Sequence, residues 1–247
     1  MESIVYNTDC VEWMKSYDGE PIKLVVTDCP YDIPNTDGGG GMPDKIEWMK
    51  SLESDTLTKS YDIEGYAALV EKIQGGKINA YFFCNKLQIP EYFRVYVGIY
   101  KCKFDILSWH KTNALPTFYG KYLTDTEYIL YFRNKGGCNP KSYEDAKTFF
   151  LGDINLKDKQ VWQHPTIKPI NIVRTLIRNS SEKGDLVYDG FLGSGTTRVA
   201  CFFEDRRFVG CELDKQWYDM QEKRYQEQCL NVTKHGNTEY KQLTIFD

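Results

Sequence analysis

The chain has 247 residues, 41% hydrophobic and 27% charged, which is the apolar and polar material of one ordinary soluble domain. No stretch approaches the roughly 20 uninterrupted apolar residues of a spanning helix. The opening MESIVYNTDC has neither the basic nor the apolar region of a secretory signal, so the expectation is a cytoplasmic protein without a membrane partner. With 31 basic residues against 35 acidic ones, overall charge does not recruit nucleic acid, and any such partner has to be held by a local basic face. The eight cysteines include no C-x-x-C pair and there are only three histidines, which argues against a zinc cage and a disulfide framework; no metal is expected.

Residues 3–6 read as a short strand, followed by Thr8 or Asp9 as a helix cap and a helical run over 11–15. A β-branched run at 23–27 ends at Asp28, and Pro30 forbids its continuation. From 35 to 60 the composition turns to four consecutive glycines (38–41) and polar residues, the signature of a mobile surface loop too long for a plain connector. A helix is expected at 61–73, and continuous apolar runs at 78–83, 104–109 and 127–132 suit strands buried on both faces. Residues 133–163 show little periodicity and read as an irregular insertion. A helix over 169–179 opens with proline at a favourable position and carries Ile172, Val173, Leu176 and Ile177 on one stripe. The last third alternates strand 186–189, helix 196–203, strand 207–212 and helix 214–228. The whole is expected to be one α/β domain.

Three motifs carry chemistry. Asp189-Gly190-Phe191-Leu192-Gly193-Ser194-Gly195-Thr196-Thr197 lies between a strand and a helix. Its glycines let the backbone pass close to a ligand, and the helix start offers free N–H groups. Glu212 ends the next strand, where a carboxylate can take two ribose hydroxyls, so together these describe a nucleoside cofactor site. A Gly-rich β-α turn without a ligand would show much of the same pattern. The third glycine of a dinucleotide fingerprint is missing, since that position holds Arg198. Asp28-Cys29-Pro30-Tyr31 ends a strand with a carboxylate, outward carbonyls and an aromatic face, a pocket for a planar group with an exocyclic amine; a strand-ending turn with a packed tyrosine would look alike. His164-Pro165-Thr166-Ile167-Lys168-Pro169 is either part of that pocket or an extended connector with a solvated histidine.

Together and in this order the motifs resemble the β-class amino-methyltransferases of DNA, in which a D-P-P-Y motif precedes F-x-G-x-G, a circularly permuted motif order. Asn7-Thr8-Asp9-Cys10 is similar to the family's G-D-C segment. Trp109-His110-Lys111-Thr112-Asn113 and Glu127-Tyr128-Ile129-Leu130 are similar to W-x-K-x-N and H-E-x-I-L. Cys29 and Gly190 stand where the family has prolines, which should loosen both turns.

The resemblance implies a Rossmann-like, seven-stranded, mostly parallel sheet with helices on both faces, the strand ending at Asp28 beside the strand ending at Asp189. It implies S-adenosylmethionine as cofactor. Gly193, Ser194, Gly195, Thr196 and Thr197 would surround its methionine part with Asp189 and Phe191 beside them. Glu212 would take the ribose, Asp9 and Cys10 the adenine end, and Asp28, Thr166 and Lys168 would close the pocket. Asp28, Cys29, Pro30 and Tyr31 become the catalytic set, Asp28 and the Cys29 carbonyl accepting the amine N–H groups and Tyr31 stacking on a base flipped out of double-stranded DNA. Lys111, Arg133, Lys135 and Lys141 are the candidate DNA contacts, the last three in or beside the short insertion 133–163 that stands in for a target-recognition region. So short a region suggests that recognition is relaxed or shared with a second subunit, as in a homodimer. The expected reaction is methylation of adenine N6; cytosine N4 is the alternative within the fold, and an inactive nucleic-acid-binding subunit the alternative outside catalysis.

Overall fold

The computed structural model describes residues 2–30, 62–114, 122–154, 156–162, 164 and 166–231. Tyr31, Pro165 and the loop expected at 35–60 lie outside these residues.

Leu24, Val25 and Val26 are fully buried in β2 (Leu24–Asp28), as a run apolar on both faces must be, and the strand stops two residues before Pro30. The other strands are β1 (Ser3–Tyr6), β3 (Asn79–Cys84), β4 (Lys103–Lys111), β5 (Thr126–Arg133), β6 (Phe149–Gly152), β7 (Leu186–Asp189) and β8 (Arg207–Cys211). They form one sheet in the order β1-β8-β7-β2-β3-β5-β4-β6. All pairings are parallel except the two made by β5. The expected adjacency of the strands ending at Asp28 and Asp189 is present, with Val25 opposite Tyr188.

The sheet has eight strands rather than seven. The additional one, β6, lies in the insertion and pairs with β4, Trp109 opposite Phe150. As an edge strand it alternates exposed and half-buried residues although Phe149, Phe150 and Leu151 are all apolar, which hides its period from the sequence.

Helices cover both faces. On one side α1 (Cys10–Ser16), α2 (Ile63–Ile73) and α3 (Ile89–Tyr92, continued as π-type turns over Phe93–Ile99) pack Met14, Tyr66, Val70, Tyr92 and Tyr96 against Val25, Ala80 and Phe82. On the other, α5 (Ile170–Ser180), α6 (Thr196–Phe203) and α7 (Lys215–Tyr225, continued over Gln226–Leu230) pack Ile172, Val173, Leu176 and Val199 against Val26, Tyr81 and Val187. The short α4 (Leu156–Trp162) follows β6. No described helix is long and apolar enough to cross a membrane.

Arg198, at the position of the missing third glycine, is buried. Its guanidinium lies 3.9 Å from the Tyr225 ring centre and donates to Ser3 Oγ (2.9 Å), Gln221 Oε1 (2.9 Å) and Glu222 Oε1 (2.6 Å). It ties the edge strand β1 to α6 and α7.

Candidate functional site at the carboxyl edge of the sheet

Because β1, β8, β7, β2 and β3 run the same way, their carboxyl ends share one edge, the side on which open α/β sheets bind ligands. β7 delivers Asp189 there. Burial raises its carboxyl to about 6, against hydrogen bonds from Thr197, Thr27 and the Phe191 N–H. The chain then turns through Gly193 (φ +48°) and Gly195 (φ +78°), left-handed conformations that favour glycine. A β-carbon on Gly193 would stand 2.7 Å from His164 Nε2, and one on Gly195 2.9 Å from Gln221 Cβ. Gly195 caps α6, so the buried Thr196 and Thr197 open that helix.

Two groups bond to this loop, and a third, His164, lies beside Gly193. Arg224 of α7, fully buried, donates to the Ser194 carbonyl (2.9 Å) and Thr196 Oγ1 (3.0 Å). Glu212, just past β8, accepts from the Gly193 N–H (2.7 Å) on one oxygen and the Asp214 N–H (2.8 Å) on the other, and burial pushes its carboxyl up to about 7 in spite of both. His164 is buried edge-on to Trp217. Burial, reinforced by the charges of Lys168, Arg224 and Lys159, lowers it to about 3 and keeps it neutral. Its Nδ1 accepts from the Thr166 N–H, so the ring proton sits on Nε2, a buried donor without a partner among the described residues. The solvated-connector reading of His164 does not hold.

This arrangement fits S-adenosylmethionine: a backbone too close for side chains, an unspent donor beside it, and a carboxylate at the next strand end with lone pairs left for a diol. Phe191 packs against Tyr66 at the mouth of the loop (ring centres 5.6 Å). Asp9 reaches the same edge, where its Oδ1 caps α1 by accepting from the Val11 and Glu12 N–H groups; Cys10 is buried beneath it. Gly190 has no room for a side chain, because a β-carbon there would lie 2.5 Å from the Tyr66 hydroxyl. Cys29 likewise is packed in the core at 1% exposure.

A row of charges runs along the same edge. Asp28, Glu127 and Lys111 stand on the sheet face covered by α5, because Asp28 is opposite Phe83, Phe83 opposite Ile129, and Trp109 opposite Glu127, with side chains alternating along each strand. Lys168, two residues before α5, places Nζ 2.8 Å from Asp28 Oδ2 and 3.1 Å from Glu127 Oε2. Lys111 Nζ is 2.6 Å from Glu127 Oε1. Burial alone would raise Glu127, but Lys168 and Lys111 outweigh it and hold its carboxyl at about 2. Burial likewise works against the Lys168 ammonium, and Asp28 and Glu127 more than compensate, leaving it protonated. Lys159 of α4 is close enough to feel the same charges.

The other expected DNA contacts are elsewhere. β5 is reversed, so Arg133 ends it at the opposite edge of the sheet, opposite Asn79 at the start of β3 and about 24 Å along the strand from Thr126. Arg133 pairs with Asp105 (2.6 Å), and Lys141 is 3.8 Å from Glu182. The chain bearing Lys135 runs along that edge and bonds to Asn179 at the end of α5 (Asn139 N–H to Asn179 O, 2.7 Å). Arg133, Lys135 and Lys141 are therefore not beside Asp28, and Lys111, whose side chain is 14% exposed, is turned to Glu127. Among residues outside the expected set, Glu127 and His164 stood in quoted motifs, whereas Arg224 gave no signal, since a charged residue at 0% exposure is contrary to type.

A family model described as DNA methylase, covering N6 and N4 methyltransferases, matches residues 22–223, and the chain belongs to that family. Its members use S-adenosylmethionine, and the chain is an S-adenosylmethionine-dependent DNA methyltransferase of the N6-adenine or N4-cytosine kind. It is 25% identical over 265 residues to the Type II methyltransferase M2.MboI of Moraxella bovis, covering 96% of this chain and 91% of that protein. It is 26% identical over 249 residues to M2.LlaDCHI of Lactococcus lactis subsp. cremoris, with 90% and 88% covered. Among solved structures it resembles the M1.HpyAVI–SAM complex (TM-score 0.65, 25% identity, 90% of this chain and 98% of that one). The cytosine-N4-specific PvuII DNA methyltransferase shares the fold (TM-score 0.66, 16% identity, 91% and 86%).

Proposed function

We propose that the protein methylates the exocyclic N6 of adenine in double-stranded DNA, in the cytoplasm of its host. The observation that carries this is the placement of Asp28: a carboxylate at the end of β2, its side chain 22% exposed, next to the strand that leads into the glycine loop. Cytosine-N4 enzymes of this resemblance more often carry serine at that position.

An adenine amine is a poor nucleophile because its lone pair is delocalised into the ring. Asp28 and the Cys29 carbonyl accept its N–H groups, which favours a tetrahedral nitrogen and localises the pair. The Asp28 charge opposes the positive charge the nitrogen gains, an interaction stronger in the transition state than in the ground state. S-adenosylmethionine, when bound, supplies the electrophilic methyl. Gly193 to Thr197 hold its methionine part, Glu212 its ribose, and Tyr31 takes over the stacking that the flipped base has lost. Buried Cys29 acts through its backbone, not its thiol.

The test is nucleoside mass spectrometry of DNA from a methylation-deficient bacterium expressing the protein. N6-methyladenine that disappears in an Asp28→Asn variant is expected. N4-methylcytosine in its place would make the cytosine reading correct, and no modified base would leave only nucleic-acid binding.

A further inference from the structure

We propose that Glu127, braced by Lys111, is a positioning residue for methyl transfer: it shares the Lys168 ammonium with Asp28 and so preserves the negative field that Asp28 presents to the reacting amine. This rests on the reading of Asp28 given above. Lys111 then belongs to the reaction site and not to the contacts with DNA phosphates.

The geometry leads there stepwise. A carboxylate meant to stabilise a nitrogen turning positive is weakened by a cation beside it, yet Lys168 Nζ sits 2.8 Å from Asp28 Oδ2. Left with Asp28 alone, that ammonium would cancel most of the field it offers. Glu127 Oε2, 3.1 Å from the same nitrogen, draws the ammonium to a position between two carboxylates, so that neither is fully neutralised. Glu127 would in turn be an ill-placed anion at this depth, its side chain 21% exposed, and Lys111 compensates it from the far side at 2.6 Å. The signs alternate along the row and sum to zero, which is how four charges can be carried at a half-buried edge. The four residues come from β2, β4, β5 and the approach to α5, and β5 can contribute only because it is reversed, which brings its first residues to the carboxyl edge.

The experiment uses the full-length protein in excess, tritiated S-adenosylmethionine, and plasmid DNA from a methylation-deficient host. Active protein is counted by calorimetric S-adenosylmethionine binding, so that loss of folded material is not read as loss of rate. Glu127→Gln, which keeps shape and removes charge, is expected to lower the single-turnover rate about tenfold at saturating cofactor and DNA. Its cofactor affinity should stay within about twofold of the parent's. Lys111→Met should also slow the reaction, with the salt dependence of DNA binding unchanged. Parent-like rates in both variants, alongside a slow Asp28→Asn, would overturn the positioning role and leave Asp28 catalytic. A parent-like rate in Lys111→Met with a salt slope shallower by about one unit would make Lys111 a phosphate contact and overturn the brace. A parent-like rate in Asp28→Asn removes the premise itself. Should Glu127→Gln not fold, Lys111→Met decides by the same rate and slope.

Discussion

Glu212 carries two opposed demands. Burial raises its carboxyl from an ordinary 4.5 to about 7, so the ligand-free fold favours the neutral form. That contribution to stability is complete below about pH 4.5 and is lost as the pH rises through 7. Ribose hydroxyls, being donors, favour the ionised form. Cofactor affinity measured by calorimetry is therefore expected to rise between pH 6 and 8, and Glu212→Gln should bind more weakly at pH 8 with a flatter profile. At Gly193 the constraint is steric: Gly193→Val meets both a left-handed backbone and the His164 ring, and should abolish S-adenosylmethionine binding at a stability loss of about 1–2 kcal/mol by thermal melting. Asp28→Asn is expected to bind cofactor normally and to lose on the order of a hundredfold or more in single-turnover rate, because the amide keeps an acceptor oxygen but not the charge.

At the scale of elements, what could be read in the sequence was whatever repeats along the chain. Val25 and Val26, the stripe on α5 and the glycine turn before α6 each announce themselves within a few residues, and the strands and helices they mark are present. β6 does not, since an edge strand that runs Phe149-Phe150-Leu151-Gly152 has no polar alternation to count. The half-site around Asp189 was legible for the same reason as its turn: glycine and acidic residues sit in one short segment. The links from Lys168 to Asp28 and Glu127, and from Arg224 to Ser194, depend on sheet order and helix packing, which no local spacing encodes. The basic residues show the opposite failure. Arg133, Lys135 and Lys141 cluster in sequence, but the reversal of β5 carries them to the far edge. Replacing all three with alanine is thus expected to leave DNA affinity and its salt dependence unchanged in fluorescence anisotropy; if they did touch phosphates, the slope of log affinity against log salt would fall by nearly three units.

Across the whole molecule, one buried arginine fastens the edge strand β1 to the helices behind it. Arg198→Ala removes the bonds to Ser3, Gln221 and Glu222 and the stack on Tyr225, and should cost about 3 kcal/mol, seen as a melting temperature lower by about 6–12 °C. The row from Asp28 to Lys111 has a further consequence for how the protein comes alive. Its members are drawn from both halves of the chain and meet only when β2, β5, β4 and the segment before α5 have all docked. No single segment holds the set, so catalytic competence requires all four to have docked. During refolding from urea, methyl transfer should therefore return with the slowest kinetic phase, even where the first strands and helices have long been in place. Activity becomes a clock for the closing of the sheet.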